Sequence, residues 1–266
     1  MDNFSQVSQK RCIILSNYQR NTSLVICILA VLAIGAISVG LISYYGSNTW
    51  NWNTNPATTD FSFEAEVGAT NDTVTLNIDL GAGGVMIVFV DDDSLLYTID
   101  MIVENTTLAN DGNPSVTFTS NTIALDYTAA AVNVTLGSGL NYTLDVNVGA
   151  GGLSAVLDEN AHVGDVSLVA TTGGISLVMT EETALMGDVT FDLETTTGGI
   201  DIIVDYPPDI GGSIECAVTV GAADITAPGW TEITSNHYET SDYNTADQTL
   251  TIIAQTTTGG IHATVT

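Results

Sequence analysis

Positive charge is almost absent from this 266-residue sequence, which has three Lys and Arg residues against 31 Asp and Glu residues. The basic residues, Lys10, Arg11 and Arg20, all precede residue 21. Proteins that bind nucleic acid or phosphate neutralise its charge with Lys and Arg. The sequence therefore predicts no nucleic-acid partner and disfavours phosphate ligands.

Cysteine is also scarce. Cys12 and Cys27 lie before and within a long apolar run, and Cys216 is the one cysteine in the rest of the chain. A disulfide within residues 61–266 of one chain is therefore excluded. Because Cys216 shares strand parity with Ile214 and Val218, we expect it to be a buried apolar side chain.

Motifs that carry chemistry are missing as well. No Gly-x-Ser-x-Gly elbow, phosphate-binding loop, His-Glu-x-x-His pair or dinucleotide fingerprint occurs. His162, His237 and His262 are far apart and lack the spacing of metal ligands, so we expect surface histidines. The sequence predicts a protein that is not an enzyme and has no organic cofactor.

One long uncharged apolar run is present, over residues 24–42. As a helix it would span about 28 Å, close to the roughly 30 Å hydrocarbon core of a bilayer. We predict a membrane helix over residues 23–45 that contacts lipid through residues 24–42, followed by Tyr and Trp residues at the water–lipid boundary. Because the basic residues precede the run, residues 1–22 are predicted to be cytoplasmic and the remainder extracellular.

Two alternatives to this retained single-pass anchor stay open. A cleaved signal peptide could use a weak site at residues 33–35, although its apolar core would normally be shorter. A pilin-like helix would pack in the core of a filament, but the run has no acidic residue and no processing motif precedes it. We place the anchor first, the cleaved signal second and the pilin third.

A repeated phrase follows a polar, aperiodic stretch. Residues 46–60 contain Pro56 and are predicted to be a tether, and residues 61–266 a β-repeat domain. In that domain a Gly-Gly pair returns with alternating apolar and polar residues on either side. Its copies lie at 83–84, 151–152, 173–174, 198–199 and 259–260, with a weaker copy at 211–224. The pairs at 173–174 and 198–199 lie 25 residues apart, and a repeat of this length is typical of stacked architectures.

The alternation predicts short, half-buried strands, with glycine at positive φ forming the turns between them. Such strands need stacked neighbours to complete a core. We predict an all-β, glycine-punctuated β-solenoid or β-helix-like domain, with a sandwich of irregular hairpins as the alternative. Residues 95–103 and 116–127 are predicted strands, and residues 227–248 an irregular insertion whose aromatic residues cover the end of the stack. We expect no helix after the membrane segment.

These phrases resemble a known family. Thr-Gly-Gly-Ile at 172, 197 and 258 is similar to the Ser/Thr-Gly-Asp-Ile/Val phrase of the "putative adhesin" β-repeat domains, and Leu-Gly-Ala-Gly-Gly at 80–84 to the opening of toast-rack-type domains of bacterial and archaeal envelope proteins. Gly174, Gly199 and Gly260 replace the usual acid, which Asp224 keeps. The resemblance, over residues 74–266, implies a β-helix-like fold at the surface of a prokaryotic cell, bacterial or archaeal, and supplies no catalytic residue.

The acids of the domain are candidates for binding a cation. Asp91, Asp92 and Asp93 are the densest cluster, and Asp165 and Asp188 follow glycine in equivalent turns. Carboxylates and carbonyls at turns are ligands that Ca²⁺ prefers. No EF-hand or nonapeptide calcium repeat is present, so the alternative is that these acids keep a repetitive β-protein soluble.

Four Asn-x-Ser/Thr sequons avoid the most regular repeats, at Asn71, Asn105, Asn133 and Asn141. This placement fits N-glycans on the looser part of an extracellular surface.

These expectations together describe a non-enzymatic, membrane-anchored cell-surface protein with a structural or adhesin-like role. Its partner would be another surface protein or a second copy of the chain. A cation- or small-ligand-binding envelope module, or a sensor that signals through residues 1–22 and a partner protein, is one alternative. A pilin-like filament subunit is the other.

Overall fold

Apolar and polar residues alternate on both sides of a glycine pair in this chain, and the resulting long strands continue through the pair. The computed structural model describes residues 57–68, 73–207 and 209–266. The predicted cytoplasmic segment and membrane helix, and the tether up to residue 56, lie outside these ranges. Within them, no helix has the length and apolar character needed to cross a bilayer.

The described residues form thirteen strands and one short helix. In chain order they are β1 (Thr58–Glu66), β2 (Val74–Val90), β3 (Leu95–Glu104), α1 (Asn105–Asp111), β4 (Val116–Thr119), β5 (Thr122–Gly137), β6 (Tyr142–Leu157), β7 (His162–Met179), β8 (Ala184–Leu185), β9 (Val189–Val204), β10 (Gly211–Thr226), β11 (Thr231–Thr234), β12 (His237–Glu239) and β13 (Thr249–Val265).

The buried side of each long strand changes at its glycine pair or at the residues in the equivalent place, which are Ala130-Ala131 in β5 and Gly221-Ala222 in β10. In β9, Phe191 and Leu193 are buried before Gly198, and Ile200 and Ile202 are buried after it. Phe191 and Leu193 have odd numbers, and Ile200 and Ile202 have even numbers. Because successive side chains of a strand point to opposite faces, a strand that continued straight would bury only one of these two pairs. The chain therefore turns at the glycine pair, and both halves contribute to one core.

We call the half of each long strand before the glycine pair its first arm and the half after it its second arm. The first arms form the first layer, and the second arms together with β1 and β3 form the second layer. Contacts across the core join the layers. The ring of Tyr142, in a first arm, meets the ring of Phe89, in a second arm, edge-on with centroids 5.8 Å apart. The Tyr142 hydroxyl also donates a 2.8 Å hydrogen bond to the carbonyl oxygen of Leu96.

Gly198 shows why the corner between the arms requires glycine. Its φ of 151° is rarely adopted by residues with a side chain, and a Cβ there would lie 1.5 Å from the carbonyl oxygen of Gly173. Positive φ recurs at the equivalent corners Gly83, Gly151, Gly173, Gly221 and Gly259. The predicted turn role of glycine is confirmed. The prediction of two separate short strands per repeat is wrong, because the ladder continues through each corner.

Seven long strands pair in parallel in the order β5-β2-β6-β7-β9-β13-β10. This order departs from the chain order at both ends, because β2 lies between β5 and β6, and β13 lies between β9 and β10. The sheet does not close on itself. Strands of similar sequence are neighbours: β9 and β13 share Thr-Thr-Thr-Gly-Gly-Ile, and Thr195 Oγ1 donates a buried 2.9 Å hydrogen bond to Thr256 Oγ1.

The elements at the N-terminal end of the stack were predicted only in part. β3 agrees with the strand predicted over residues 95–103. The strand predicted over residues 116–127 is instead β4 and β5, joined by a turn in which Ser120 and Asn121 have φ values of 52° and 60°. The expectation of no helix is wrong, because α1 is present. This helix buries no residue, so no apolar periodicity marked it in the sequence.

The β11–β12 hairpin covers the end of the first layer that is formed by β10. β12 pairs with the first arm of β10, and the Trp230 ring packs edge-on against Tyr206 with centroids 5.1 Å apart. Residues 227–248 therefore contain two short strands that the prediction of an irregular insertion missed, while Trp230 does pack against the end of the core as expected. For the described residues, the all-β prediction is confirmed apart from the short α1.

Candidate functional site

Asp91, Asp92 and Asp93 form the turn between β2 and β3, and protein donors bind two of them. Asp92 Oδ1 accepts hydrogen bonds from Ser94 Oγ at 2.7 Å and from the Ser94 backbone N–H at 2.9 Å. The bond from the hydroxyl, and next that from the amide, hold the pKa of the Asp92 carboxyl below its ordinary value. Asp93 Oδ1 accepts a 3.0 Å hydrogen bond from Ser138 Oγ. These bonds tie the turn together.

Asp165 and Asp188 connect neighbouring strands. Asp165 Oδ1 accepts a 2.8 Å hydrogen bond from the backbone N–H of Thr190 in β9. Asp188 Oδ1 accepts bonds from the backbone N–H and the hydroxyl of Thr249 in β13, at 3.0 and 2.9 Å. Each carboxylate thus binds an amide at the start of the next strand of the sheet. The Gly-Asp pairs that recur in the sequence align successive strands.

The five predicted calcium ligands therefore divide between a turn and two strand starts. Over the ranges that the structure describes, no three Asp, Glu, His or Cys residues form a group arranged to hold a metal ion. The hydrogen bonds of Asp92, Asp93, Asp165 and Asp188 give these residues roles that require no cation. Calcium binding stays a prediction of the sequence.

A serine, a histidine and a glutamate meet where β10 pairs with β12, but they cannot form a catalytic relay. Ser213 Oγ lies 3.1 Å from His237 Nε2, and Glu239 Oε1 lies 3.2 Å from the same nitrogen. A relay requires the serine and the carboxylate to bind opposite nitrogens of the ring. Ser213 is also buried, so a substrate cannot reach its hydroxyl. The cluster holds the hairpin against β10.

Cys216 is buried, as its strand parity predicted. Burial, and after it the negative charge of Glu215, raises the pKa of its thiol to about 12. The thiol is therefore protonated at neutral pH and is a poor nucleophile.

The three described sequons lie in different settings. Asn105 is exposed at the start of α1, and its Oδ1 accepts a 2.8 Å hydrogen bond from Thr59 Oγ1. Asn133 is exposed on the outer side of β5, and Asn141 is half-buried just before β6. Asn71 lies outside the described residues. Glycosylation of these residues stays a prediction.

The outer face of the first layer is acidic. Its positions alternate with the core positions, and exposed carboxylates occur on five of its strands. They are Asp79, Asp126, Asp145, Asp192, Glu194 and Glu215. Because the described chain has no Lys or Arg, no lysine or arginine compensates these charges, and the face carries a strongly negative potential.

The outer face of the second layer has a different character. On three adjacent strands, β2, β6 and β7, every outward position is uncharged. These positions are Gly84, Met86, Val88, Gly152, Ser154, Val156, Gly174, Ser176 and Val178. Carboxylates occur only on the flanking strands β1, β3, β9 and β10. We call this surface the uncharged face.

Two exposed isoleucines flank the centre of the uncharged face. Ile102 on β3 is 48% exposed and Ile203 on β9 is 41% exposed, whereas Ser154 and Ser176 at the centre are only 9% and 5% exposed. This surface could not be predicted from the sequence alone, because the register that aligns these positions depends on strand pairing. The detectable sign was the lack of any acid at the outward positions of residues 84–88, 152–156 and 174–178.

Comparison with known proteins identifies the fold and no family. No protein-family model and no curated protein matches the chain. A crystal structure of a "putative cell adhesion protein" from Clostridium sporogenes aligns with a TM-score of 0.64 and 17% identity, covering 79% of this chain and 100% of that one.

Two further crystal structures of a "putative adhesin", from Bacteroides fragilis and Parabacteroides merdae, align at 12% and 11% identity. They cover 78% and 80% of this chain and 98% of their own chains, but their TM-scores of 0.26 and 0.25 are too low to support an argument. The described chain is thus similar in fold to the Clostridium sporogenes protein.

Proposed function

We propose that this chain is a non-catalytic, adhesin-like protein of the cell surface, held there by one membrane helix. The observation that supports it most is the stack itself: a β-solenoid in our interpretation, whose two layers present broad outer faces of opposite character. Its likeness in fold to a Clostridium sporogenes protein named for cell adhesion agrees with a surface role. The anchor at residues 23–45, with residues 1–22 in the cytoplasm, follows from the apolar run and the basic residues before it.

Trypsin offers a direct test of the anchor, because residues 21–266 contain no site for this protease. In sealed cells that express the full chain, external trypsin should leave the protein intact however stable the β-domain is. After permeabilisation, trypsin should remove residues 1–20. An Asn53→Lys variant is the control, since external trypsin should cut it in the tether.

Each other outcome of this experiment points to a different arrangement. Truncation of the parent chain by external trypsin would mean that its basic segment lies outside the cell. An intact mass that already lacks the first thirty-odd residues would mean that the apolar run is a cleaved signal peptide. Either result would remove the anchored form from the proposal.

Cation binding is a second candidate function, which the acidic outer face of the first layer favours. A specific calcium site would raise the melting temperature of the full chain in millimolar Ca²⁺ more than in equal Mg²⁺, and Asp126→Asn, which removes the carboxylate beside Asp79 on that face, would abolish the difference. Equal rises in both salts would indicate charge screening alone. No rise in either salt would contradict this candidate.

A further inference from the structure

The large negative charge of the chain limits how two copies can approach each other. The formal net charge is -28, and the described residues have no Lys or Arg. Contact through the first-layer outer face would bring carboxylates on five strands against those of a second copy, and like charges in contact cost several kcal/mol. The uncharged face offers three adjacent strands, β2, β6 and β7, on which two copies can meet without this repulsion.

The middle row of the uncharged face continues onto the flanking strands, so that it crosses all nine strands of the second layer. In spatial order its residues are Ser62, Asp100, Asn133, Met86, Ser154, Ser176, Asp201, His262 and Asp224. Ser154 on β6 is the central member, with four strands on either side. A twofold axis that lies above β6 and parallel to the strands would therefore place each residue of the row opposite the residue of the second copy that lies equally far on the other side of β6.

Such an axis places every charged member of the row opposite a compatible group. Asp100, three strands to one side of β6, would face His262 of a second copy, three strands to the other side. It would share that ring with Asp224 of the second copy, whose Oδ2 lies 3.6 Å from His262 Nδ1 within one chain. Asn133 would face Asp201 in the same way, and Ser62 would face Asp224. No carboxylate in the row opposes another carboxylate. This charge matching singles out a second copy as the occupant of the face.

The two neighbouring rows match across the same axis. The register places exposed Ile102 opposite Gly260 of the second copy, so the isoleucine meets a position with no side chain. On the other side, exposed Ile203 would pack against Thr135. The acids of β1 on these rows, Asp60 and Glu64, would face Ala222 and Thr226, which are uncharged.

The area of the face is sufficient for a specific dimer. Nine strands about 4.8 Å apart, each contributing five residues at about 3.4 Å per residue, cover about 730 Å² per copy. Two copies would bury about 1,500 Å², which lies within the range for specific interfaces. Two sheet faces that carry glycine, serine and valine can approach to the usual spacing of packed sheets, about 10 Å.

We propose that two copies of this chain form a twofold dimer in which the uncharged faces of their second layers pack together about β6. This inference does not depend on the membrane anchor or on an adhesive role. It identifies the partner of this face as the same chain, whereas the acidic face remains free for other ligands.

Paired cysteines test the geometry in the full chain. In a background with Cys12→Ser and Cys27→Ser, the variant with both Thr135→Cys and Ile203→Cys should be cross-linked to a dimer in the native membrane by a short bis-maleimide, because sheets about 10 Å apart leave the two Cα atoms too distant for a direct disulfide. Each single variant should give little or none, because Thr135 faces Ile203 and neither faces itself. Association through residues 24–42 would not produce this difference. Absence of the cross-link in the double variant would overturn the proposal.

A charge placed on the face tests its energetics. In detergent, the parent chain should have a protein mass twice 27.7 kDa by light scattering, and Ile203→Asp should weaken dimerisation about 100-fold or more. Ile233→Asp, at a 50% exposed position on β11, is the matched control and should leave the dimer intact. A monomeric parent chain, or equal dimerisation of both variants, would overturn the proposal.

Glycan analysis provides an independent check. Asn133 lies in the middle row, so a glycan there would hold the two faces apart. Glu-C peptides of the mature protein should show Asn133 unmodified, whatever the state of Asn105. Full occupancy of Asn133 would overturn the proposal.

Discussion

The two outer faces of this stack are formed by the same strands, and yet one is acidic and the other is uncharged at its centre. β2 and β6 each carry a carboxylate on the first layer, Asp79 and Asp145, and none on the outer face of the second. The backbone register, the corner glycines and the shared core are common to both layers. The difference therefore does not arise from the fold.

This contrast separates the inward positions of the strands, which the core requires to be apolar, from the outward positions, which the core does not constrain. Inward positions are apolar in both layers because each strand needs its neighbours to bury them. Outward positions are free of that requirement, so carboxylates on the first layer can keep a repetitive β-protein soluble. The centre of the second layer has no such charges and therefore lacks this contribution to solubility. A second copy that covers this face would account for their absence.

The largest effect is expected from a charge on the inner side of the second layer. Ile202 is fully buried, whereas the adjacent Ile203 points outward. Ile202→Asp should lower the free energy of unfolding by more than about 4 kcal/mol, because it buries an unpaired carboxylate. Ile203→Asp should change the stability of the monomer by less than about 1 kcal/mol. Urea denaturation followed by circular dichroism measures both, and similar losses would mean that the two sides of the strand are wrongly assigned.

The corner that joins the two layers should give the next largest effect. Gly198→Ala should cost about 3 kcal/mol, because a Cβ would meet the Gly173 carbonyl oxygen and φ is strained. Gly199→Ala is its neighbouring control. There the nearest atom to a Cβ, the carbonyl oxygen of Gly260, lies 3.6 Å away, so the change should stay within about 1 kcal/mol. Equal melting temperatures for the two variants would contradict the corner geometry.

An alkaline titration probes the core between the layers through Cys216. Its thiol has a pKa of about 12 in the fold against an ordinary value of 9.0, because burial disfavours the thiolate. The unfolded state loses this proton first, so the stabilising contribution is complete below pH 9 and declines as the pH rises towards 12. By pH 10 the loss should be about 1.4 kcal/mol.

Denaturant midpoints from pH 8 to 10 measure this decline, and Cys216→Val should remove most of it. Buried tyrosines add a smaller loss near pH 10, where the unfolded state begins to lose their protons, because burial raises the pKa of Tyr142 from 10.0 to about 12 and also raises the pKa of Tyr206. An undiminished slope in Cys216→Val would assign the alkaline sensitivity to other groups.

A smaller effect should distinguish the carboxylates that join strands from those that only line the acidic face. Asp188→Ala removes the acceptor for two Thr249 donors and should cost about 1 kcal/mol. Asp192→Ala removes one charge from a crowded negative face, so its effect should stay within about 0.5 kcal/mol. Thermal denaturation at low salt compares them. A larger loss for Asp192→Ala would reverse the roles given to these residues.

The sequence was sufficient for the parts of the fold that depend on local chemistry. Alternation on both sides of a Gly-Gly pair predicted half-buried strands, and glycine predicted the turn, because only glycine tolerates the φ of Gly198. It was not sufficient for the strand order. The positions of β2 and β13 between strands that are distant in the chain depend on tertiary packing, although the shared Thr-Thr-Thr-Gly-Gly-Ile of β9 and β13 did mark that pair.

The candidate surfaces were less predictable than the core. Acidity was evident from composition, but its absence from the centre of the second layer depends on the parity change at the corner, which a reading as two independent strands cannot reveal. The Gly-Asp turns suggested calcium because a sequence does not show that Asp165 and Asp188 reach the amides of Thr190 and Thr249. Partners that are distant in the chain decide the role of such a carboxylate.

Carboxyl labelling of the full chain, read by mass spectrometry, tests most directly whether the two faces differ as described. Asp192 and Glu194 on the acidic face should label rapidly in both the parent chain and Ile203→Asp. Asp201 on β9, next to the uncharged face, should label slowly in the parent chain and at least about tenfold faster in Ile203→Asp, because the second copy no longer covers it. Equal labelling of Asp201 in the two proteins, or protection of Asp192, would contradict the account.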